Sequence, residues 1–331
     1  MFKKRIISIF IIFVITFSYV SVLKADDYDE EENQISDLSI QEVSSKPISE
    51  PEVNSRIAII YDRNTKRVIW GKNENKRSAM ASTTKIMTCL VTLEKANLTD
   101  EVTVSAKAAS TGGSRLGLKK NDKITVNNLL YGLMLCSGND AAVALAEHIG
   151  GSKEGFAKLM NEKAKELGLK DTNFVTPHGL DDPNHYTTAF ELAKIADYAL
   201  NNKEFAKIVN TKNITISING NSKQLSNTNE LLGNTLGVYG VKTGFTNNAG
   251  RCLVTSCKRE KIDIITVVLG ADTKKIRTKD SISLIEYANS NYSYVNIENI
   301  VKSKFEEWKV LNKKRFEVVK AKNTDIKLIL S

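Results

Sequence analysis

A chain of 331 residues, 41% hydrophobic and 26% charged, is long enough to bury one large core and too apolar to be disordered throughout. Its four cysteines form no Cys-x-x-Cys pair and it has only three histidines, so no metal site is expected. The formal charge of +9 is unevenly spread, and where it falls bears on partners.

At the start of the chain, Lys3, Lys4 and Arg5 precede an apolar run from Ile6 to Val20, and Ser21 to Ala25 follow as a cleavage-type segment. A run of about 15 residues suits an export signal and falls short of the roughly 20 that span a bilayer. Residues 1–25 therefore read as a signal peptide cleaved after Ala25. Leu23 is bulky for position −3, and the alternative is an uncleaved N-terminal anchor. Export places the protein outside the cytoplasm, at the cell wall or the outer face of the cytoplasmic membrane. That compartment permits disulfides, yet Cys89 and Cys136 lie in helical apolar patterns and Cys252 in a strand-like one, as small buried hydrophobes do.

Residues 26–54 read as an acidic linker, because ten acids between Asp26 and Glu52 face Lys46 alone and such a segment stays solvated. The rest of the chain is correspondingly basic, which suits an anionic partner outside the membrane and not nucleic acid.

The folded region is read as residues 55–295. In "RIAIIYDRNTKRVIWGKNENK" two β-rich runs flank Asp62-Arg63-Asn64-Thr65, a hairpin signal. A helix is expected from about Ser82, where Ile86, Cys89, Leu90 and Leu93 recur at helical spacing. Helices are expected again over Asn127 to Leu135, Asp140 to Ile149, Lys153 to Leu167 and Thr188 to Leu200, as a middle layer or subdomain. From Gly240 the pattern changes to "GVKTGFT", "GRCLVTSCKRE" and "DIITVVLGA", three consecutive antiparallel strands, and residues 273 to 292 return to helix. This order describes an α/β or α+β sandwich, an antiparallel sheet with flanking helices whose terminal segments share one sheet. Residues 296–331 hold two β-prone runs, Arg315–Ala321 and Asp325–Leu330, and are expected as a partial C-terminal β region. Basic residues from Lys302 to Lys327 offer a peripheral contact to anionic lipid or, more plainly, a solvated face.

Three short motifs carry chemistry. Ser82-Thr83-Thr84-Lys85 opens a helix, which puts Ser82 and Lys85 on one face. Ser137-Gly138-Asn139 lies in a loop between helices, and Lys242-Thr243-Gly244 lies on a strand. Each alone is weak: Ser21 and Lys24 repeat the first spacing, Ser217-Ile218-Asn219 repeats the second, and the second also reads as a turn with Asn139 as a cap. Taken in this order and these contexts, the three are those of a penicillin-recognising serine enzyme. The chain resembles the D-alanyl-D-alanine carboxypeptidases, the low-molecular-mass penicillin-binding proteins, from about residue 55 to 295. The segments "GGSRLGL", "SGNDAAVALAEHIGG", "FVTPHGLDD", "VKTGFTNNAG" and "VVLGADTKKIR" carry the likeness.

The resemblance implies a β-lactamase/transpeptidase-like fold and a serine-type carboxypeptidase acting on peptidoglycan stem peptides, with β-lactams as inhibitors and with no metal or organic cofactor. Ser82 would be the nucleophile and Lys85 its base, neutral through burial and the nearby Lys242. Ser137 would relay a proton to the leaving D-alanine nitrogen, and Asn139 would orient Lys85 and the substrate amide. Lys242, Thr243 and Gly244 would line the opposite wall on an edge strand, with Gly244 admitting the substrate backbone. The backbone N–H groups of Ser82 and Phe245 would hold the oxyanion. Arg277 would help bind the substrate carboxylate, against the plainer reading of a solvated helix-start residue. His178 reads as a turn residue, and His148 and His185 as surface or packing residues.

Three other functions compete. A class A β-lactamase needs a Glu after the Ser-x-Asn element, and residues 140 to 190 contain no Glu-x-x-Leu-Asn. A D,D-endopeptidase uses the same residues on a different bond. A catalytically idle peptidoglycan-binding or β-lactam-sensing protein would keep the fold without the reaction.

Overall fold

The computed structural model describes residues 49–294 and 298–311. The signal segment, most of the acidic linker and the two C-terminal β-prone runs lie outside the described residues.

The first strand, β1 (Ile57–Asp62), and β2 (Val68–Lys72) form the expected hairpin, and Asp62 closes its turn by accepting the Thr65 backbone N–H at 2.9 Å. Near the other end of the fold, β7 (Val238–Thr246), β8 (Gly250–Arg259) and β9 (Ile262–Ala271) run antiparallel in sequence. The chain returns so that β1 pairs with β9, giving one five-stranded sheet in the order β2-β1-β9-β8-β7. The edge position of β7 matters below.

Both faces of this sheet are covered, which is why its strands are nearly solid apolar runs and not alternating ones. Ile57, Ile59 and Tyr61 of β1, with Val254, Ile265 and Val267, pack into the larger core beneath the helical layer. Their neighbours Ala58 and Ile60, with Leu253, Ile264 and Val268, pack on the other face against Leu284, Ile285 and Ala288. Those three belong to a helix that runs Lys274–Asn291. The sheet is therefore the middle layer with helices on both faces, as the expected antiparallel sheet with flanking helices requires, and the helices between residues 126 and 200 form one flanking layer.

The helical layer comprises α1 (Lys85–Lys95), α2 (Ala106–Ala109), α3 (Val126–Met134), α4 (Asn139–Gly150), α5 (Lys153–Glu166), α6 (Ala189–Leu200) and α7 (Lys203–Val209). The Lys274–Asn291 helix is then α8. Caps fix several starts: Ser152 accepts the Gly155 N–H, Thr188 that of Glu191 and Thr273 that of Ile276, each satisfying a donor the helix leaves open.

Short strands β3 (Glu101–Thr103) and β4 (Lys123–Thr125) pair with each other, as do β5 (Asn213–Ile218) and β6 (Asn221–Ser226). The second hairpin was legible and missed: Asn219-Gly220, with φ +52 and +79, is the dipeptide that such turns favour, and Ile214, Ile216 and Ile218 alternate before it. It also accounts for the second Ser-x-Asn, which lies at this hairpin's turn. A further helix, α9 (Glu298–Leu311), occupies ground expected to be a partial β region. Its i,i+4 pair Glu298 to Lys302 at 2.5 Å is of the kind that supports helix.

Candidate active site

The helix expected to begin at Ser82 begins later. Ala81–Thr84 form a 3-10 turn and α1 starts at Lys85, so Ser82 lies in the tight turn that feeds the helix. Its side chain caps nothing; instead its Oγ is 2.9 Å from Lys85 Nζ. Ala81 enters the turn at φ +48, a conformation L-residues occupy only when surroundings impose it.

What imposes it is a loop packed against the turn. Gly179 has φ +83, and a Cβ there would sit 1.9 Å from the Ala81 carbonyl oxygen, so only glycine fits. The same loop supplies two carbonyls to α1: Pro177 O accepts Thr88 Oγ1 at 2.6 Å and His178 O accepts Lys85 Nζ at 2.7 Å.

Lys85 is fully buried and has a third partner, Asn139 Oδ1 at 2.7 Å. Asn139 is held in that orientation because its Nδ2 donates to Gly112 O at 2.7 Å and its backbone N–H to Ser114 O at 2.8 Å. The next residue, Asp140, organises this loop: its carboxylate accepts the N–H groups of Leu116 and Gly117 at 2.7 Å and of Leu118 at 3.0 Å. Burial lowers the Lys85 pKa well below the ordinary lysine value, and the neighbouring Lys242 adds to the effect.

Proton bookkeeping follows from the partner types. Asn139 Oδ1 and the His178 carbonyl can only accept, so together they occupy both N–H bonds of a neutral Lys85 amine. In that neutral form the remaining lone pair would face Ser82 Oγ at 2.9 Å and take the hydroxyl proton, whereas the ammonium would donate to all three oxygens. The burial that lowers the Lys85 pKa is what favours the neutral form.

Ser137 sits at φ +61 in the turn between α3 and α4. It is almost fully buried, and so is Asn139, the first residue of α4. The cap position is taken by Gly138. The opposite wall is β7. Gly244 lies so close to the serine turn that a Cβ would be 3.1 Å from both Ala81 Cβ and the Ser82 backbone nitrogen. The close approach that this glycine permits is thus between strand and the Ser82 turn, and it sets Gly244 beside the Ser82 backbone nitrogen.

Lys242 is buried, its pKa lowered to about 7 by burial and by Arg277, and its Nζ donates to Thr243 O at 3.0 Å. Thr243 Oγ1 is 2.8 Å from Thr228 Oγ1. Arg277 is no solvated helix-start residue: it is 4% exposed, pairs with Glu230 at 3.1 Å, and its Nε has no protein partner. The Phe245 ring is half-exposed and stacks under Arg251 at 3.7 Å.

His185 takes the packing alternative and adds hydrogen bonds that were not expected: it is 3% exposed, and its ring nitrogens bond to Thr84 and to the Val175 N–H. No local motif marks it, since its partners lie ten and a hundred residues away. All four cysteines are free, and only Cys136 is partly exposed. Among the described residues no group of three or more His, Cys, Asp or Glu is placed to hold a metal ion.

A three-layer fold in which a Ser-x-x-Lys turn, a Ser-x-Asn loop and a Lys-Thr-Gly edge strand meet defines the class of penicillin-recognising serine proteins. The chain belongs to the peptidase S11 family, described as D-alanyl-D-alanine carboxypeptidase, whose profile matches residues 44–273. It is 42% identical over 253 residues to D-alanyl-D-alanine carboxypeptidase DacF of Bacillus subtilis, covering 75% of this chain and 65% of that protein. With DacA of Haemophilus influenzae the identity is 35%, covering 74% of this chain and 64% of the relative. The chain thus spans just under two thirds of the length of these relatives. The crystal structure of the Streptomyces K15 DD-transpeptidase superposes with TM-score 0.70 at 32% identity, covering 73% of this chain and all of that one. That of D-alanyl-D-alanine carboxypeptidase DacD from Francisella tularensis does so with TM-score 0.70 at 31% identity, covering 76% and 75%.

Proposed function

We propose that this protein is a serine-type D-alanyl-D-alanine carboxypeptidase that removes the terminal D-alanine from peptidoglycan stem peptides through an acyl-enzyme at Ser82, and that β-lactams acylate the same serine. The observation that carries this reading is the buried Lys85 Nζ, 2.9 Å from Ser82 Oγ and 2.7 Å from two pure acceptors, which in the neutral form leave its lone pair for the Ser82 hydroxyl.

The stem peptide runs along the free edge of β7, where an extended peptide adds as a further strand. Its terminal carboxylate lies near the Thr243 hydroxyl, Lys242 and Arg277. Ser82 Oγ attacks the D-Ala-D-Ala carbonyl as its proton passes to Lys85 Nζ, and the N–H groups of Ser82 and Phe245 hold the oxyanion. The proton then moves through Ser137 to the amine of the departing D-alanine, and the C–N bond breaks. Water attacks the Ser82 ester, Lys85 takes its proton, and the free carboxylic acid and the Ser82 hydroxyl are restored. Exported by its N-terminal segment, the protein would meet this substrate outside the cytoplasmic membrane, and its basic surface suits an anionic wall polymer. The same site chemistry serves a D,D-endopeptidase, which cuts a cross-link in place of a chain end.

Release of D-alanine from a pentapeptide ending in D-Ala-D-Ala tests the reading. The wild type should release it and Ser82→Ala should not. D-alanine release that persists in Ser82→Ala would refute the assignment.

A further inference from the structure

The nucleophile turn is held by one side chain that touches no reacting atom. His185 is buried beside the Phe174 ring, centroids 5.8 Å apart. Its Nδ1 accepts the Val175 backbone N–H at 2.9 Å, which leaves Nε2 as the protonated nitrogen, 2.8 Å from Thr84 Oγ1. Thr84 in turn donates to the Ala81 carbonyl at 2.7 Å, the oxygen that also excludes any Cβ at Gly179. The ring therefore binds two pieces of chain that must stay in register: the Ala81–Thr84 turn that carries Ser82, and the Val175–Gly179 loop that gives Lys85 its His178 carbonyl. Burial pushes the His185 pKa down to about 4 against the opposing pull of Asp182 and Asp181, so the ring is neutral near pH 7. A neutral ring is the only form that can accept from Val175 while donating to Thr84.

We propose that His185 is a positioning residue for the acyl-transfer step, fixing the Ser82 turn through Thr84 while its other nitrogen fixes the loop that orients Lys85. The inference rests on the proposed acyl-enzyme activity.

The test is the second-order rate at which a fluorescent penicillin labels Ser82 of the full chain, with reversible affinity, acylation step and melting temperature measured separately. His185→Asn keeps an acceptor where Nδ1 lies and loses the reach to Thr84, whereas His185→Gln places an amide donor near the Nε2 position. Thr84→Val cuts the same link from the other side. His185→Asn and Thr84→Val should each slow the acylation step on the order of 10-fold with little change in reversible affinity. The double variant should be no slower than the slower single variant, since one link is cut twice. His185→Gln should recover the rate to within about 3-fold.

Acylation at the wild-type rate in both single variants, or losses that multiply as for independent sites, would overturn the proposal. A lowered melting temperature alone, with folded protein acylating normally, would assign His185 to stability only and overturn it equally. If His185→Asn does not fold, Thr84→Val and His185→Gln decide the matter. A wild type that takes no label would refute the activity itself, a different failure from variants that label as fast as a labelling wild type.

Discussion

The base role proposed for Lys85 rests on what its partners cannot do. Asn139 Oδ1 and the His178 carbonyl are acceptors only, so a neutral amine has one lone pair left and Ser82 in front of it. Lys85→Arg keeps a cation but cannot become neutral, and penicillin acylation should fall on the order of 10²–10⁴-fold, measured by stopped-flow labelling; a rate within a few-fold of wild type would exclude Lys85 as the base. Lys242 allows a second prediction. Its pKa is lowered to about 7 in the fold, so between there and the ordinary value near 10.4 the unfolded chain holds more protons and this residue's contribution to stability rises with pH. Lys242→Met should therefore be more stable than wild type at pH 7, on the order of 2 kcal/mol, with the margin shrinking toward pH 9 in urea unfolding. Ser82, Lys85, Ser137, Asn139 and Lys242 were legible because each sits in a short motif with a fixed spacing. His185 and the Arg277–Glu230 pair were not, because their partners are distant in sequence and their burial depends on the folded layers.

At the scale of elements, two glycines set the distance between strand, loop and nucleophile turn. Gly179→Ala meets both a positive φ and the Ala81 carbonyl, so it should cost on the order of 1–3 kcal/mol in thermal or chemical unfolding and draw the His178 carbonyl away from Lys85. Gly244→Ala is milder, because its Cβ would be 3.1 Å from its nearest neighbours. It should leave the melting temperature nearly unchanged and still slow penicillin labelling, since the gap it fills is the one between β7 and the Ser82 N–H. Equal labelling by Gly244→Ala and wild type would mean that this spacing is not critical. Periodicity found the hairpin at β1–β2, the three strands β7 to β9 and the long helices within one or two residues. It missed α7, which has only seven residues, too few for an apolar repeat to stand out. It also placed the start of α1 three residues early, because serine is as common at a helix start as in a tight turn leading into one.

At the scale of the molecule, the sheet is closed by segments far apart in the chain: β1 beside β9, and the segment before β1 bound to α8. Asp280 of α8 is fully buried and accepts the backbone N–H groups of Ser55 at 2.7 Å and Asn54 at 3.1 Å. Asp280→Ala strands those donors and should lower stability on the order of 1–3 kcal/mol, read from the urea midpoint, with penicillin labelling of the folded fraction unchanged. The order of elements already suggested that terminal segments share a sheet, but this tie joins residues over 220 positions apart and leaves no local pattern. The proposed function adds acyl transfer at one serine to this stable sandwich, and the intact mass of the protein after penicillin tests that proposal most directly. The account predicts a single mass gain of one whole penicillin, carried by the peptide containing Ser82 and lost in Ser82→Ala. An unmodified protein, or an adduct on any other residue, would contradict it.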